Sequence, residues 1–344
     1  MREINVAIVG CGLIAKEHLK IWQKVPQARI AAACDKNESA AKNVARLWRI
    51  PHYYTSFSEL LKQTDVNLVD VCTPPQAHAP LAVQALESKL HVLLEKPLAM
   101  TMKEAKEIIS RHKISGTKLG VIHNWLFEPP MIKATSLIRK RKLGRINHVE
   151  VRVLSTNKES MFSNKDHWCH SLPGGRFGEM LAHPIYVLQA FLGRLKVKEV
   201  FAAKIGDYPW VSADELHVIL EAHNAFGSIY GSFNSPRDAI YIDVYGSRCS
   251  FSVELVNKTL IEQRFRPVRM SSRVIDNLQQ AYQLVRSSAQ AIARVLSGKW
   301  KSGQEVCIRL FAKSVLSGGE PPVTAQEAFD AVTILEQICH RIDL

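Results

Sequence analysis

The stretch INVAIVGCGLIA, residues 4–15, decides the fold of this chain. An apolar run ends at Gly10 and leads directly into a helical pattern. Gly10 permits a tight turn, Gly12 allows the backbone to approach a pyrophosphate closely, and the small Ala15 allows the helix to pack on the strand. A strand, a glycine-rich turn and a helix in this order predict a dinucleotide-binding site.

The start of the helix and a later carboxylate complete this pattern. The amide groups of Leu13 and Ile14 are predicted to bind phosphate at the positive end of the helix. Asp35 ends the second apolar run, where a carboxylate binds the ribose hydroxyls of an adenosine and repels a 2′-phosphate. We therefore predict NAD rather than NADP as cofactor, although the basic neighbour Lys36 leaves room for NADP.

Short apolar runs alternate with helical patterns over residues 1–122. The runs are continuous, which is typical of parallel strands buried on both faces. We predict an α/β domain with a doubly wound parallel sheet. The predicted strands are Ile4–Val9, Arg29–Cys34, Leu68–Cys72, His91–Leu94 and Lys118–Ile122, and the predicted helices are Ala15–Gln23, Glu38–Leu47, Ser58–Lys62, Pro80–Ser88 and Lys103–His112.

In residues 123–344, strand-like runs follow one another with few helical patterns between them. This half is predicted as a second, α+β domain with an open, mainly antiparallel sheet. A helix that carries His183 interrupts the strands of this half. The predicted strands are His148–Leu154, Val197–Ala203, Glu215–Ala222, Gly227–Ser232, Ala239–Tyr245 and Cys249–Leu255, and the predicted helices include Met131–Lys142 and Ala325–Arg341.

The segment 264–297 combines arginines with a heptad-like apolar stripe. This spacing predicts a helix that ends before Gly298 and packs on its own core or on a partner subunit. A helix lying on a membrane surface is the alternative. The arginines are Arg264, Arg266, Arg269 and Arg273, and the stripe consists of Ile275, Leu278, Tyr282, Val285, Ala289, Ile292 and Leu296.

The composition, 47% hydrophobic and 22% charged over 344 residues, is that of a globular protein of about two domains. Neither a signal peptide nor an apolar run long enough for a membrane helix is recognised. Seven cysteines without a CxxC pair predict reduced thiols and a cytoplasmic protein. The net charge of +13 fits either an anionic substrate or a solvated basic surface. Nucleic-acid binding and membrane association are not expected.

The residues that follow the strand at 68–72 are predicted to line the ligand crevice, because ligands bind at the carboxyl ends of parallel strands. Thr73 and Pro74 are predicted to contact the cofactor. His78 either lines the same crevice or merely begins a helix.

Five stretches together resemble the glucose–fructose oxidoreductase / inositol dehydrogenase (Gfo/Idh/MocA) family. They are GCGLIA (10–15), Asp35, VDVCTPPQAH (69–78), HVLLEKPLAM (91–100) and GGEPPVTAQEAFDAVTILEQI (318–338). The resemblance implies a Rossmann domain, then a domain that binds substrate and forms a homodimer or homotetramer. It also implies an NAD-dependent dehydrogenase that acts on a hydroxyl or carbonyl of a sugar, nucleotide-sugar or polyol.

The catalytic roles come from the same resemblance. Glu95-Lys96-Pro97 matches the family's EKP motif, in which the lysine contacts the nicotinamide ribose and the reacting oxygen and the proline often follows a cis bond. The resemblance therefore implies that Glu95 and Lys96 bind the cofactor. An ammonium there stabilises an alkoxide-like oxygen. His183 matches the histidine of GG-x-x-x-D-x-x-x-H and would exchange the hydroxyl proton. Glu179, in place of the aspartate, would orient the imidazole or bind a substrate hydroxyl.

Other positions depart from the family pattern, so the substrate is left open. Tyr186 stands where many members have aspartate, and Leu126 stands where arginine is common. The predicted substrate-binding residues are His123, Asn124, Trp168, His170 and Tyr186. No metal is predicted, because the histidines and cysteine at 167–170 lack the second ligand pair of a zinc site. Alternatives are a redox-elimination glycoside hydrolase that uses NAD and a non-catalytic NAD-binding regulator.

Overall fold

The computed structural model describes residues 3–62, 65–264 and 269–343. The described chain forms two compact units. The first contains the residues up to Asn124 together with Gln304–Thr333, and the second contains Trp125–Gly303 and the residues from Ile334 onward. The sequence analysis drew one division near residue 122 and did not group 304–333 with the first half. The functional assignment of the two domains stays a prediction.

The first unit contains a parallel six-stranded sheet in the order β3-β2-β1-β4-β5-β6. This order confirms the predicted doubly wound sheet, with the reversal of strand order beside β1. The strands are β1 Ile4–Val9, β2 Ala28–Cys34, β3 His52–Tyr54, β4 Leu68–Val71, β5 His91–Leu94 and β6 Leu119–Val121. The helices between them are α1 Leu13–Trp22, α2 Glu38–Trp48, α3 Phe57–Leu60, α4 His78–Glu87 and α5 Met102–Ser115.

Local sequence explains where these helices begin. The side chain of Asn37 accepts a hydrogen bond from the amide of Ala40 and caps α2. Thr101 and Glu104 form a capping box at the start of α5, which satisfies amide groups that have no partner within the helix. The start of α1 has no such side-chain cap, since Gly12 occupies the capping position. Its amide groups therefore stay available to a ligand.

The second unit contains a seven-stranded sheet in the order β13-β12-β11-β7-β10-β9-β8. Only β7 and β10 pair in parallel among its described strand pairs, which confirms the predicted open, mainly antiparallel sheet. The strands are β7 Ile146–Leu154, β8 Lys196–Ala203, β9 Glu215–Ala222, β10 Ala225–Ser232, β11 Ala239–Gly246, β12 Cys249–Glu254 and β13 Thr259–Arg264. The helices are α6 Pro129–Arg139, α7 Ser160–Ser163, α8 Gly175–Met180 and α9 Ala182–Leu192.

The predicted heptad-like helix is α10, Met270–Leu296, which lies beside the edge strand β13. The side-chain amide of Gln283 accepts a hydrogen bond from the backbone amide of Glu262 and donates one to its carbonyl, over 2.9 and 3.0 Å. The apolar stripe is not packed on the core of the described chain, because Leu278 and Val285 are 66% and 70% exposed. Arg266 of the predicted arginine cluster lies outside the described residues.

Two helices close the chain, α11 at Gly303–Ser317 and α12 at Ala325–Ile342. Phe311 of α11 packs so tightly on β6 that a Cβ atom on Gly120 would lie 2.5 Å from its ring. Helix α11 therefore forms part of the packing of the first unit. Among the described residues, no helix is both long and apolar enough to cross a membrane. The seven cysteines are not joined by disulfides.

Candidate active site

The turn between β1 and α1 is built around two glycines with different requirements. Gly10 has a φ of +90°, and a Cβ atom there would lie 2.8 Å from the carbonyl carbon of Cys72. Gly12 has an ordinary φ of −77°, and a Cβ atom there would meet no protein atom within 4 Å. The fold itself therefore requires Gly10, whereas the space beside Gly12 is open.

Two polar side chains near this turn differ in their hydrogen bonds. The two carboxylate oxygens of Asp35 accept hydrogen bonds from the amides of Cys11 and Asn37, over 2.8 and 2.9 Å. The carboxylate thus holds the glycine-rich turn against the end of β2. The hydroxyl of Thr73 is buried and has no hydrogen-bond partner within the described chain. A buried hydroxyl of this kind requires a partner, which a bound ligand would supply.

The residues predicted to contact the cofactor at the start of α1 differ in burial. Leu13 is 85% exposed and Ile14 is 37% exposed, whereas Ala15 is completely buried. Pro74 is exposed and precedes a short 3-10 turn, Pro75–Ala77. The small Ala15 thus lies inside the first unit, whereas Leu13, Ile14 and Pro74 are accessible to solvent.

His78 is buried and bonded to backbone. Its ring nitrogens lie 2.7 Å from the carbonyl oxygen of Pro97 and 3.0 Å from that of Thr73. Burial lowers the pKa of His78, whereas its hydrogen bonds to the two carbonyls oppose that shift. This geometry makes His78 a link that holds the loops after β4 and β5 in place.

Glu95 belongs to a buried charged network that sequence analysis did not find. His18 lies between two carboxylates, 2.7 Å from Asp70 and 3.0 Å from Glu95. Trp22 donates a further hydrogen bond to Asp70 over 2.7 Å, and Gln304 donates one to Glu95 over 2.6 Å. Although His18 has the spacing of a helix-facing residue, nothing in the sequence pairs it with residues from three other elements.

The pKa values in this network favour its charged state. Burial opposes the charge on His18, but the charge of Asp70 raises the pKa of the imidazole well above 6.5. Burial likewise opposes the charge on Glu95, but the hydrogen bond and charge of His18 lower its pKa to about 2. The network therefore holds a buried imidazolium between two carboxylates.

Glu95 also fixes the backbone of the lysine that follows it. Its second carboxylate oxygen accepts a hydrogen bond from the backbone amide of Lys96 over 3.1 Å. The Lys96–Pro97 peptide bond is cis, as the EKP motif suggested. Glu95 is 8% exposed, so its side chain anchors the lysine backbone from within the first unit.

His18, Asp70 and Cys72 also form a compact group with the atom types of a metal site. The atoms of this group are already engaged in hydrogen bonds. Nδ1 of His18 bonds to Asp70, and the same carboxylate oxygen accepts from Trp22. Burial raises the pKa of the Cys72 thiol to about 12, so the thiol is protonated at neutral pH. A protonated thiol and a protonated imidazole are poor metal ligands.

Two predicted substrate residues lie at the end of the first half. His123 is 4% exposed, and burial lowers its pKa to about 3, so its ring is neutral. Asn124 begins a short 3-10 turn that continues to Phe127. The burial of His123 does not favour direct contact with a substrate, and its role stays a prediction.

In the second unit, His183 is held on two sides. Its Nδ1 atom lies 2.8 Å from the hydroxyl of Tyr186, and its ring stacks on Trp125 with centroids 4.4 Å apart and planes 10° apart. The backbone amide of Trp125 donates a hydrogen bond to the same Tyr186 hydroxyl over 3.0 Å. The sequence marked Tyr186 as a departure from the family but did not predict that it contacts His183.

Glu179 and Arg176 lie on α8 and form an ion pair. Arg176 also lies 3.1 Å from Glu159, and its side chain is only 9% exposed. The sequence analysis did not anticipate this arginine, which places a buried cation beside the carboxylate predicted to serve His183. Glu179 is thereby fixed in position, but its contact with substrate stays a prediction.

His170 and Trp168 lie on the 3-10 turn Trp168–Ser171, which precedes α8. Within the described chain, Nε2 of His170 and Nε of Arg176 are buried without a hydrogen-bond partner. Buried donors without partners are a feature of polar ligand sites as well as of ordered water sites. The predicted substrate role of this segment is compatible with that geometry.

Comparison with known proteins identifies the family. A sequence profile described as "Oxidoreductase family, NAD-binding Rossmann fold" matches residues 4–123. A second profile, for the GFO/IDH/MocA C-terminal domain, matches residues 131–252. The chain belongs to the Gfo/Idh/MocA family of oxidoreductases. The profile match over residues 4–123 confirms the predicted Rossmann fold and the predicted cofactor class, a nicotinamide dinucleotide.

Relatives of this family member are similar over most of its length. YrbE of Bacillus subtilis, an uncharacterized oxidoreductase, is 24% identical over 276 residues, 76% of each protein. The levoglucosan dehydrogenase of Pseudarthrobacter phenanthrenivorans is 24% identical over 256 residues, 71% of this chain and 63% of that protein. The structure of the WlbA dehydrogenase from Bordetella pertussis, in complex with NADH and UDP-GlcNAcA, aligns with a TM-score of 0.83 at 20% identity and covers 99% and 96% of the two chains.

The residues of this Gfo/Idh/MocA protein fit NAD. The open space at Gly12 leaves room for this cofactor, and the Thr73 hydroxyl, which has no partner within the described chain, could bond to it. The free amide groups at Leu13 and Ile14 suit the pyrophosphate, and the Asp35 carboxylate suits the adenosine ribose.

Proposed function

We propose that this protein is an NAD-dependent dehydrogenase that transfers a hydride between nicotinamide and a hydroxyl or carbonyl carbon of a sugar-like molecule. The observation that carries the proposal is the imidazole of His183, which is fixed by Tyr186 and Trp125 in a chain that also retains Lys96. Non-catalytic members of an enzyme family have no need to keep both groups.

Each residue has a distinct role in this proposal. When bound, NAD supplies the hydride acceptor. His183 takes the proton of the substrate hydroxyl, and it returns that proton in the reverse reaction. The ammonium of Lys96 stabilises negative charge on the reacting oxygen. Glu179, whose charge is balanced by Arg176, binds a substrate hydroxyl or helps to orient the imidazole.

The proposed substrates are sugars, nucleotide-sugars and polyols. WlbA is described in complex with UDP-GlcNAcA, and levoglucosan dehydrogenase in complex with levoglucosan. The net charge of +13 supports an anionic member of this class. Of the residues predicted to bind substrate, Asn124, Trp168 and His170 are retained in this proposal, whereas the side chains of His123 and Tyr186 are buried.

NAD is proposed over NADP because the Asp35 carboxylate would repel a 2′-phosphate. A related structure described as NADPH-dependent shows why this choice needs its own measurement. The relatives named as dehydrogenases support net oxidation rather than redox-elimination hydrolysis. A cytoplasmic location and a homodimeric or homotetrameric assembly are also proposed.

The direct test is a screen of nucleotide-sugars, sugar acids and polyols with NAD and with NADP, read as absorbance of the reduced nicotinamide. We expect NADH to accumulate with at least one anionic sugar. Release of free sugar or aglycone without NADH would support the hydrolase instead. Binding of NAD without turnover of any compound in these classes would contradict the dehydrogenase. Light scattering after size-exclusion chromatography would give the subunit number.

A further inference from the structure

The hydroxyl of Tyr186 joins two elements of the second unit around one imidazole. The side chain is 2% exposed, and its oxygen contacts the backbone amide of Trp125 and Nδ1 of His183. Trp125 contributes twice to this arrangement, once through its amide and once through the indole that stacks on His183. A buried phenol in such a triangle limits both the rotation and the tilt of the imidazole.

We propose that Tyr186 is a positioning residue that holds His183 with its proton on Nδ1, so that Nε2 exchanges the proton with substrate. This inference rests on the proposed function. The amide of Trp125 can only donate, so the Tyr186 oxygen accepts from it. In the proposed tautomer, the second lone pair of that oxygen accepts the Nδ1–H of His183.

The same hydrogen bond serves both charge states of the base. In the neutral ring with its lone pair on Nε2, the proton resides on Nδ1 and is donated to Tyr186. In the imidazolium formed after proton transfer, Nδ1 still carries that proton and keeps the same partner. The ring therefore takes up and releases a proton without reorienting, which lowers the reorganisation required in the reaction.

A neutral phenol differs from the carboxylate that many family members place at this position. A carboxylate stabilises the imidazolium and raises the pKa of a neighbouring histidine. The oxygen of Tyr186 accepts the same hydrogen bond from Nδ1–H but carries no negative charge. The structure thus assigns to this chain a base that is more readily deprotonated than a carboxylate-bound histidine would be.

The ionisable residues on the elements that pack against α9 are few. On α8 they are Arg176 and Glu179, which form an ion pair, and α9 itself carries no lysine, arginine or carboxylate. The turn Asn124–Phe127 has no charged side chain. On β7, which packs against α9, the buried residues are valines, and Glu150 and Arg152 alternate with them toward the other face. Strand β10 adds Tyr230, whose hydroxyl bonds to Glu215.

The test compares wild type with Tyr186→Phe and Tyr186→Asp. The tautomer and pKa of His183 are read from nitrogen chemical shifts in NMR titrations of the NAD-loaded protein, with His183→Asn to assign the signal. We expect the Nδ1–H tautomer to dominate in wild type and to lose its dominance in Tyr186→Phe. In Tyr186→Asp, the pKa of His183 should rise by about one unit or more. Tyr241→Phe is the control, since its exposed hydroxyl bonds only to Arg237 among the described side chains.

Activity gives a second readout once a substrate is known. Tyr186→Phe should lower kcat about tenfold or more with little change in KM, and Tyr186→Asp should restore part of kcat with its acid limb moved to higher pH. An unchanged tautomer and pKa in both variants would overturn the positioning role, even if the wild type is a dehydrogenase. If Tyr186→Asp does not fold, Tyr186→Phe alone decides by its tautomer. If no substrate turns over, the proposed function fails, and the titration still decides the role of Tyr186.

Discussion

The side-chain amide of Gln304 donates a hydrogen bond to Oε1 of Glu95 over 2.6 Å, across a sequence separation of 209 residues. Both groups are buried within the first unit, and the same carboxylate oxygen also bonds to His18. Gln304 therefore completes the network that anchors Lys96, although it comes from the other end of the chain.

Replacement of Gln304 by leucine should destabilise the first unit. The change removes a donor from a buried carboxylate, which costs about 1–3 kcal/mol in unfolding free energy. Urea denaturation would measure it. The control is Gln326→Leu, because Gln326 is exposed and its amide bonds only to Asp330 among the described residues. Equal stability of the two variants would contradict a supporting role for Gln304.

The His18–Glu95 pair should make stability depend on pH in two directions. The pKa of His18 is raised in the folded state, so its contribution is complete below about 6.5 and is lost as pH rises through the folded value. The pKa of Glu95 is lowered from 4.5 to about 2, so its contribution is present above 4.5 and is lost as pH falls toward 2. The pair should contribute most between these limits.

The measurement is the difference in unfolding free energy between wild type and Glu95→Gln over a pH series. We expect the largest difference at about pH 5–6, and a smaller one at either end. Buried His123, whose pKa is lowered to about 3, also destabilises the fold below pH 6.5. Because the charge of Glu95 raises that pKa, the His123 contribution is the same in both proteins, and cancels in the difference, only above about pH 3. A difference that does not vary with pH would exclude the charged pair.

The two glycines of the β1–α1 turn should respond differently to alanine. Gly12→Ala should fold with an unchanged Tm, because no protein atom lies within 4 Å of the new methyl group, but should bind NAD about tenfold or more weakly. Gly10→Ala should lose Tm as well, because its φ of +90° and the contact with Cys72 disfavour a side chain. Thermal unfolding and calorimetric NAD titration would show this. Normal NAD affinity in Gly12→Ala would contradict binding of the pyrophosphate at this turn.

Asp35→Asn should shift the cofactor preference toward NADP. The amide keeps the size of the side chain but removes the charge that repels a 2′-phosphate. We expect the ratio of the two Kd values to change by about tenfold, which is about 1.4 kcal/mol. The ratio is the useful quantity, because the loss of bonds to Cys11 and Asn37 would weaken both cofactors alike. An unchanged ratio of Kd values would show that Asp35 does not determine the preference for NAD.

His183→Ala should lower kcat by about 10²–10⁴ while NAD affinity is retained, since a general base contributes about that much. Steady-state kinetics with the substrate found in the screen would measure it. His217→Ala is the matched control, because His217 is an exposed histidine of the same unit that stacks on Tyr230. Turnover within a few fold of wild type would remove His183 from catalysis.

The sequence predicted the Rossmann strands well because each is a continuous apolar run. The predicted bounds of Ile4–Val9 and His91–Leu94 agree with β1 and β5. Strand β3 was missed because its three residues, His52–Tyr54, are mostly exposed and form no apolar run. Strand β13 was also missed, because the second half of TLIEQR is polar and more exposed than the first. Helix α11 was not predicted either.

Only the parts of the site formed by residues close together in sequence could be predicted from motifs. The turn at Gly10 and the carboxylate at Asp35 are defined by neighbouring residues, so sequence places them. The contacts of His18 with Asp70 and Glu95 join separate elements, and no spacing in the sequence brings them together. Tyr186 was noticed as an unusual residue, but its hydrogen bonds depend on the packing of α9 beside the turn at Trp125.

The position of α11 has a consequence for biosynthesis. A ribosome completes the glycine-rich motif long before it adds Gln304 and Phe311, which cover Glu95 and β6. At about 5–20 residues per second, the nascent sheet waits many seconds with apolar surface uncovered. A premature stop codon just before residue 303 would therefore disable the nucleotide-binding half while sparing every residue of its signature.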